Sequence, residues 1–448
     1  MPGSNPSLKV FVEGHGCSAS FADTEIITGM VQNHGYKIVD DEGEADVSVL
    51  VTCSVKTVTE QKMMSRIREL SGDGSRKLVV AGCLSKAVPE KILRIRSDLS
   101  LIGPNNLEGI VPAIEATISG RQFVSLESSR LIKPGLPRVR RNSVIGIVEI
   151  SSGCLSSCTF CQVKLVKGTV FSYPEHQIVD EARSLIAQGA VEIWLTSTDN
   201  AAYGRDSKST LPSLVRKIAS LPGKFKVRLG MMNPLLTEKV LDELIDCLRL
   251  EKVFKFVHLP VQSGSDRVLN LMQRGYSVAD FESMVACLRR EVPYLTLSTD
   301  MIVGFPTESD SEFEESMDLL RRTRPDVLNL SRFGARDGTK AATMDRQISS
   351  TLAKKRSVEM ASLARRIQGE INASWLGWRG SILIDEIVKG AVVGRNCAYK
   401  PCLIKYSENH ETELSLGTEV EVEISDSTSS TLRATVSPRR QFAALKSC

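Results

Sequence analysis

Three cysteines near the middle of the chain have a spacing that suits iron–sulfur chemistry. Cys154, Cys158 and Cys161 form a C-x3-C-x2-C pattern directly after residues 144–150, an apolar run that predicts a buried strand. A [4Fe–4S] cluster is held by Cys thiolates, one for each iron. Three ligands in one short loop therefore leave one iron open to a small molecule. A structural zinc site is the alternative, but zinc prefers four Cys or His ligands, and His176 is the nearest imidazole in the sequence.

This loop resembles the cluster motif of the radical S-adenosylmethionine enzymes in its spacing, its preceding strand and Phe160 before the third cysteine. The resemblance implies that the open iron chelates S-adenosylmethionine. It also implies that reductive cleavage of this cofactor yields a 5′-deoxyadenosyl radical, which is chemistry of the cofactor and not of side chains.

A second set of cysteines lies in the N-terminal segment. Cys17, Cys53 and Cys83 follow short β-type runs at residues 9–12, 47–51 and 77–81, and a helical stretch comes after each run. This alternation predicts a small parallel α/β sheet. Ligands bind outside the carboxyl ends of parallel strands, so we interpret the three cysteines as ligands of a second cluster. Incidental buried thiols are the alternative, and His15 is an alternative ligand.

The central segment contains βα-type repeats. Its predicted strands are residues 144–150, 191–195, 226–229, 254–259, 295–302 and 327–330. Six units are too few to close an eight-fold barrel, so we expect a partial (β/α)6 barrel with active residues on loops at the carboxyl ends of the strands. S-adenosylmethionine needs acceptors for its ribose hydroxyls, a cation for its carboxylate and an apolar platform for its adenine. Our candidates are Asp199 or Gln262 for the ribose hydroxyls, Arg332 for the carboxylate and Phe160 for the adenine.

The C-terminal segment changes to short β runs after Trp375. They cover residues 380–387, 391–394, 402–406, 418–424 and 431–436. This pattern predicts a small antiparallel β-barrel, a type of domain that often binds RNA. Alternating glutamates at 419, 421 and 423 make one face acidic, so only a face with Lys389, Arg395, Lys400 and Lys405 could meet phosphate.

The distribution of charge indicates where a polyanion would bind. Residues 130–377 carry 35 Lys and Arg against 28 Asp and Glu, whereas the whole chain has a net charge of only +4. The candidate phosphate contacts are Arg138, Arg140, Arg141, Lys164 and Lys167. A solvated linker is the alternative interpretation of the first three.

Composition places the protein among globular cytoplasmic proteins. The 448 residues are 42% hydrophobic and contain no apolar run of membrane-spanning length, so we expect no membrane partner. Residues 1–9 lack the apolar core of a signal peptide. In the reducing cytoplasm, eleven cysteines favour metal or redox chemistry over a disulfide framework.

Together these features resemble the radical S-adenosylmethionine methylthiotransferases, whose C-terminal TRAM domain is a small β-barrel. We assign residues 1–135 to the N-terminal methylthiotransferase domain, 136–376 to the radical core and 377–448 to the TRAM-like barrel. Several stretches are similar to the archaeal and eukaryotic branch that acts on tRNA. They are VTCSVK (51–56), VKLVKG (163–168), FSYP (171–174), EIWLT (192–196), YGRD (203–206) and VRLGMMNP (227–234).

The resemblance implies a reaction in which a methylthio group replaces the C2 hydrogen of N6-threonylcarbamoyladenosine next to the anticodon. One S-adenosylmethionine would methylate the sulfur and a second would supply the radical. The N-terminal triad would hold the auxiliary [4Fe–4S] cluster and the central triad the radical-generating one, with an electron donor and a sulfur donor as partners. Thr198 departs from the family pattern, in which this loop usually has Gln.

Three alternatives remain open at this point. The related branches act on a ribosomal-protein aspartate or on isopentenyladenosine in tRNA. A cation in the substrate pocket would favour threonylcarbamoyladenosine, because that base carries a carboxylate and isopentenyl is apolar. The non-enzyme alternative is an RNA-binding protein with structural iron–sulfur or zinc sites.

Overall fold

The computed structural model describes residues 8–54, 57–72, 74, 76–406 and 414–436. Within these ranges the chain forms a parallel α/β unit, an open β/α barrel and a closed β-barrel, which confirms the predicted fold class. The last two residues of the VTCSVK stretch lie outside the described residues, as do parts of the first and last predicted domains.

The N-terminal unit is a parallel sheet with helices on both faces. Its elements are β1 (Lys9–Gly14), α1 (Ser18–Asn33), β2 (Lys37–Val39), β3 (Val47–Thr52), α2 (Thr57–Ser71), β4 (Leu78–Gly82), α3 (Cys83–Ala87), α4 (Pro89–Leu93), β5 (Ser100–Ile102), α5 (Ile110–Ile118) and β6 (Val124–Ser125). The strand order is β2-β1-β3-β4-β5-β6. Val49 packs with α1 and α5 on one face, and Leu50 packs with α2 to α4 on the other. Because β1, β3 and β4 are neighbours, the loops that follow them meet at one edge of the sheet.

The central unit is an open barrel of parallel strands. Its strands are β7 (Ile145–Glu149), β10 (Glu192–Thr196), β11 (Lys226–Leu229), β12 (Phe256–His258), β13 (Thr296–Val303) and β14 (Val327–Arg332), with a small antiparallel pair, β8 (Ser151–Ser152) and β9 (Phe171–Ser172). Its helices are α6 (Val163–Lys167), α7 (Glu175–Ala187), α8 (Leu211–Ala219), α9 (Pro234–Thr237), α10 (Leu241–Arg249), α11 (Asp266–Leu271), α12 (Val278–Glu291), α13 (Asp310–Thr323) and α14 (Ser350–Ala373).

The barrel is open between its first and last strands. The strands form two groups, in the orders β7-β10-β11 and β12-β13-β14. Two isolated bridges, Val227 to Val253 and Met231 to His258, connect these groups. In the described residues β7 and β14 do not pair with each other. The N-terminal unit covers the β7 edge, where Ala22 of α1 packs against Ile145 and Ile147. The two cysteine-bearing units are therefore in direct contact, and α3 also touches α6.

The C-terminal unit is a closed barrel in the order β15-β16-β17-β19-β18. Its strands are β15 (Arg379–Val388), β16 (Ala391–Arg395), β17 (Pro401–Lys405), β18 (Glu419–Ser427) and β19 (Leu432–Val436). The prediction of an antiparallel barrel is confirmed for every pair except β17 and β19, which run parallel. A parallel pair closes the barrel here because the strand between them in sequence, β18, pairs with β15 instead.

The closed barrel packs against the amino ends of the central strands. Tyr399 places its ring 4.8 Å from that of Phe254 and 5.3 Å from that of Phe256. Lys400 Nζ lies 2.8 Å from the Asp326 carboxylate, and Arg395 Nε lies 2.7 Å from that of Asp385. Lys400 is thus engaged in an ion pair across the domain interface, and Arg395 in one within the closed barrel. Neither is part of a phosphate-binding face, which corrects the expectation from sequence.

No helix within the described ranges is both long and apolar enough to cross a membrane.

Candidate active site

The central cysteines lie on a tightly folded loop at the carboxyl end of β7. The Cys154 amide donates to the Gly168 carbonyl at 3.1 Å, and the Cys161 amide donates to the Cys158 carbonyl at 3.2 Å. Gly153 has a φ of +79°, and a Cβ there would lie 2.0 Å from the Thr169 carbonyl oxygen. Only glycine allows the two arms of the loop to approach this closely.

Burial controls the chemistry of these thiols. It raises the pKa of Cys154 to about 12 and also raises the pKa of Cys161. Thiols with such pKa values are protonated at neutral pH, and metal ligation releases the proton because the thiolate is the ligand. Three soft sulfur donors on one partly exposed loop fit an iron–sulfur cluster. Among the described residues, no group of three or more His, Cys, Asp or Glu side chains is arranged to hold a metal ion; a four-iron cluster instead takes one thiolate per iron.

Arg274 contacts this loop, and the sequence analysis missed it. Its Nη1 donates to Cys158 Sγ at 3.2 Å, and its Nη2 donates to the Pro260 carbonyl at 2.9 Å. Burial lowers the pKa of this guanidinium, but Tyr276 and Cys158 raise it more, so the net shift is upward. The side chain therefore stays cationic and can stabilise negative charge on a cluster bound at Cys158. In the sequence, Arg274 is a basic residue before Gly275 in a loop, and this pattern does not predict contact with a cysteine.

The N-terminal cysteines meet at the carboxyl edge of their sheet, where the topology argument placed them. Cys17 and Cys53 are hydrogen-bonded to each other, which lowers the pKa of Cys17, whereas burial raises that of Cys83 to about 12. Gly16 has a φ of +122°, and a Cβ there would lie 2.3 Å from the Cβ of Cys53. The glycine is required for this approach. His15 binds the carboxylate of Glu13, so it is engaged outside the triad.

A chain of buried charges lies beside the N-terminal triad. Lys133 Nζ is 2.5 Å from Asp23 Oδ1 and 2.7 Å from Glu149 Oε2, and Lys167 Nζ is 3.1 Å from Glu149 Oε1. The Lys167 charge also acts to lower the pKa values of Cys17 and Cys83, although burial leaves the pKa of Cys83 raised. Lys167, which the sequence analysis assigned to RNA, is therefore a buried ion-pair partner beside the sulfur ligands. This corrects the assignment of Lys167 to RNA binding, because the Glu149 carboxylate on β7 pairs with it in the interior.

The loop after β10 supplies an unsatisfied acceptor. Asp199 Oδ1 accepts hydrogen bonds from the Ala201 and Asn233 amides at 3.1 and 3.0 Å. Its Oδ2 is buried and has no hydrogen-bond partner in the described chain. Burial raises the pKa of Asp199 to about 6. An orphan carboxylate oxygen costs free energy unless a donor reaches it, and Asn233 connects this loop to Ser156 of the cluster loop at 3.0 Å.

The other cofactor candidates lie on neighbouring strand ends. Gln262 is buried and has a φ of +79°, and its backbone bonds β13 through Asp300 and Ile302. Phe160 packs with the buried group that contains Met272 and Phe305. Arg332 is exposed at the end of β14, in register with Val303 of β13. Phe160 is part of the cluster loop, and the Asp199 loop is connected to it through Asn233 and Ser156. Within the described residues, no hydrogen bond joins Gln262 or Arg332 to that loop.

A polar triplet faces the barrel interior and was also missed. Asp300 Oδ1 binds both His258 Nε2 and Asn329 Nδ2 at 2.8 Å. Strand registers pair His258 with Ser298 and Asp300 with Asn329, so these side chains share one face, while the buried Leu297 and Met301 point to the helices. The signal that could have revealed them was the polar run Ser298 to Asp300 within the otherwise mostly apolar strand β13.

The candidate RNA contacts differ in their availability. Arg138 is buried: its Nε is 2.7 Å from Glu181, and its Nη1 donates to the Ile147 carbonyl at 2.7 Å. It is thus an internal ion-pair partner and not a surface phosphate contact, which corrects the expectation from sequence. Arg140 donates to the Gln188 carbonyl at 2.6 Å, Arg141 stacks over Phe21 at 4.7 Å, and Lys164 bonds the cluster loop at Leu155 and Ser157. These three keep accessible surface.

Comparisons with known proteins agree with this geometry. The sequence matches the Radical SAM superfamily over residues 148–320 and the Uncharacterized protein family UPF0004 over residues 9–103. It is 39% identical over 401 residues to a probable threonylcarbamoyladenosine tRNA methylthiotransferase of Pyrococcus horikoshii, covering 89% of this chain and 93% of the relative. The chain belongs to this family.

Relatives that carry the family name come from animals as well as archaea. The threonylcarbamoyladenosine tRNA methylthiotransferase of Drosophila melanogaster is 37% identical over 427 residues, which are 93% of this chain and 75% of that protein. Among solved structures, the radical S-adenosylmethionine methyltransferase TsrM from Kitasatospora setae aligns with a TM-score of 0.55 at 16% identity, covering 75% of each chain. At that identity the similarity shows the fold alone. Membership of the family makes the chain a radical S-adenosylmethionine enzyme.

Proposed function

We propose that this protein transfers a methylthio group to C2 of N6-threonylcarbamoyladenosine next to the anticodon of tRNA. The observation that carries the proposal is the proximity of two separate cysteine triads. Lys167 ends the helix that follows Cys161, and its charge acts on Cys17 and Cys83 of the other triad. A radical formed at one site and a sulfur held at the other must both reach the same base, so the two sites have to lie close together.

Each triad has its own role in this proposal. Cys154, Cys158 and Cys161 hold the [4Fe–4S] cluster that binds S-adenosylmethionine, and Cys17, Cys53 and Cys83 hold the auxiliary [4Fe–4S] cluster. When bound, these groups supply the radical and sulfur chemistry that replacement of an unactivated aromatic hydrogen requires. Acid–base or nucleophilic side chains cannot reach such a C–H bond. The protein's contribution is to hold, orient and shield these groups.

Other side chains position the cofactor. Asp199 Oδ2 is the acceptor that a ribose hydroxyl would satisfy, because it is buried, close to Cys154 and without a partner in the described residues. Phe160 provides apolar surface next to the cluster loop, and Arg274 keeps a positive charge at Cys158. We retain Gln262 and Arg332 as weaker candidates for polar and carboxylate contacts, since they are at the carboxyl ends of their strands.

The tRNA is proposed to contact the surface near the junction of the first two domains. Arg140, Arg141 and Lys164 provide the accessible charge there. We propose the domain boundaries 1–135, 136–376 and 377–448. The electron donor and the sulfur donor are separate partners, and we place the reaction in the cytoplasm, where tRNA is modified and thiols stay reduced.

Mass spectrometry of tRNA nucleosides tests this proposal. Cells that lack the protein should contain N6-threonylcarbamoyladenosine without its 2-methylthio derivative, and expression of the protein should restore the derivative. A Cys158→Ala variant should not restore it. Methylthiolation of isopentenyladenosine, or of a ribosomal-protein aspartate, would instead assign the protein to a related branch. Normal tRNA with iron-free protein would favour a structural RNA-binding role.

A further inference from the structure

Arg336 is a buried cation in the loop that follows β14. Its side chain is only 7% exposed, and its Nη1 donates to Glu60 Oε2 at 3.0 Å and to Gln162 Oε1 at 3.1 Å. Its Nη2 is buried and has no hydrogen-bond partner in the described chain. A buried guanidinium costs free energy unless compensating charge and hydrogen-bond acceptors surround it. Arg336 is such a buried charge, and it lies where the first two domains meet.

The two partners of Arg336 come from the two cysteine-bearing units. Gln162 directly follows Cys161, and Glu60 is on α2, the helix that comes after Cys53. Gln162 Nε2 also donates to the Asp337 carbonyl at 2.8 Å, which anchors the same loop a second time. One short loop thus connects the N-terminal sheet to the cluster loop of the barrel.

The charge of Arg336 acts on both sets of ligands. Burial lowers its pKa overall, while Glu60, Cys161 and Cys53 all act to raise it. In the other direction, Arg336 acts to lower the pKa of Cys161. The Glu60 carboxylate opposes this positive charge through its contact with Nη1, while Nη2 has no hydrogen-bond partner among the described residues.

We propose that Arg336 is a positioning residue that links the two cluster sites electrostatically, so that one guanidinium sets the reduction potentials of both clusters. This inference rests on the proposed function, since it requires both triads to carry clusters. Reduction adds negative charge to an iron–sulfur cluster, and a nearby cation favours the reduced form. A single cation near both clusters therefore raises both reduction potentials.

The test is an EPR-monitored titration of the anaerobically reconstituted protein with dithionite. Arg336→Gln should lower both midpoint potentials. At an effective dielectric constant of about 20, loss of one nearby charge changes each reduction equilibrium by roughly tenfold, which is about 59 mV for one electron. Arg336→Lys keeps the charge and should keep both potentials near the wild-type values, although it loses the two-acceptor contact.

Glu60→Gln is the opposite-sign variant. It removes the partial neutralisation of Arg336 and should raise both potentials. A displacement of the loop would not shift the potentials in opposite directions for Arg336→Gln and Glu60→Gln. Lys91→Gln is the matched control, because Lys91 pairs with Asp337 of the same loop at 2.7 Å but is 45% exposed, and it should leave both potentials unchanged.

Several results would overturn the inference. One is a shift in the midpoint potential of only one cluster, and another is no shift in either potential at full iron content. The third is potential shifts of the same sign for Arg336→Gln and Glu60→Gln. If Arg336→Gln does not load iron, Arg336→Lys and Glu60→Gln decide the question by the same criteria. Failure of the proposed function looks different, because the wild-type protein itself would then lack a second cluster or fail to methylthiolate tRNA.

Discussion

Arg274 Nη1 donates a hydrogen bond to Cys158 Sγ over 3.2 Å, and this contact joins two loops that are 116 residues apart in the sequence. The same guanidinium binds the Pro260 carbonyl at 2.9 Å. One side chain therefore ties the cluster loop to the end of β12 and brings a buried positive charge to a cluster ligand.

Arg274→Gln should make the central cluster harder to reduce. A hydrogen bond to a charged group contributes about 1.5–3 kcal/mol, so we expect reductive cleavage of S-adenosylmethionine to slow by about tenfold or more. The measurement is 5′-deoxyadenosine formation with dithionite at equal iron content. Arg267→Gln, which changes an exposed partner of Glu312, is the control and should cleave the cofactor at the normal rate. Equal rates for both variants would contradict the assigned role.

The two cysteine triads should load iron independently. The reconstituted protein should bind about eight irons, one cube per triad. Changing Cys154, Cys158 and Cys161 together to Ala should remove about half, because the N-terminal triad is built on a separate sheet. Iron analysis with Mössbauer spectroscopy measures this. If the triple variant loses all of its iron, or keeps all of it, the triads do not act separately.

Cys53→Ala should separate radical formation from product formation. The central triad needs no ligand from the N-terminal sheet, so this variant should still cleave S-adenosylmethionine. It should deliver no methylthio group, because Cys53 is a ligand of the proposed auxiliary cluster. Chromatography of 5′-deoxyadenosine and mass spectrometry of tRNA nucleosides give the two readouts. Cys247→Ala, at a buried thiol outside both triads, is the control; methylthiolated tRNA from Cys53→Ala would remove the auxiliary cluster from the mechanism.

Glu192 should make stability depend on pH. Its pKa is raised from 4.5 to about 8, because burial and the charge of Asp385 raise it more than Trp194, Arg395 and Arg228 lower it. A carboxyl whose pKa is higher in the folded state favours folding in its neutral form. Its contribution is complete below pH 4.5 and is lost as the pH rises to about 8. Tm should fall across this window.

Glu192→Gln should flatten this fall in Tm, because the amide stays neutral at every pH. Differential scanning fluorimetry over the same window measures the slope. The exposed carboxylate of Glu115 offers a control, since Glu115→Gln should leave the slope as it is. A wild-type slope in Glu192→Gln would mean that other groups cause the pH dependence.

Neutralising Arg140, Arg141 and Lys164 together should weaken tRNA binding and reduce its salt dependence. Each phosphate contact contributes about 0.7 to 0.9 to the slope of log affinity against log salt concentration. Filter binding at several salt concentrations measures the slope. Cofactor cleavage should persist when Arg140 and Arg141 alone are neutralised, whereas Lys164 also bonds Leu155 and Ser157 of the cluster loop. Arg138 is left out because its burial between carboxylates makes Arg138→Gln a stability variant.

A charge-matched variant controls for net charge. Arg183, Lys217 and Arg249 are about half exposed on outer helices of the barrel, and their neutralisation should leave the salt slope near that of the wild type. If both triple variants give the wild-type slope, the tRNA follows another path.

Most of the fold could be predicted because its signals are local. A buried strand such as β3 shows as a continuous apolar run, and the change from helical to alternating spacing marks the start of the closed barrel. The triads could also be predicted, since loops at the carboxyl ends of neighbouring parallel strands meet whatever their side chains are. For this reason Cys17, Cys53 and Cys83 could be assigned to one edge although they are far apart in sequence.

Pairing between distant side chains could not be predicted. Lys164 and Lys167 look alike in sequence, yet one lies near the surface and the other is buried against Glu149. Lysine is almost never buried without a partner, and the partner is defined only when β7 and α6 are packed together. The same holds for Lys133 and Asp23, which are 110 residues apart.

The sequence by itself therefore determined the order of the elements, the two sets of sulfur ligands and the family resemblance, because spacing and periodicity are properties of the chain. Only the tertiary structure decided which cations are free for RNA, that the closed barrel packs at the end of the central barrel opposite the cysteine loops, and that Arg274 and Arg336 reach the cluster sites. These depend on free energies of burial and ion pairing between segments, which no local pattern encodes.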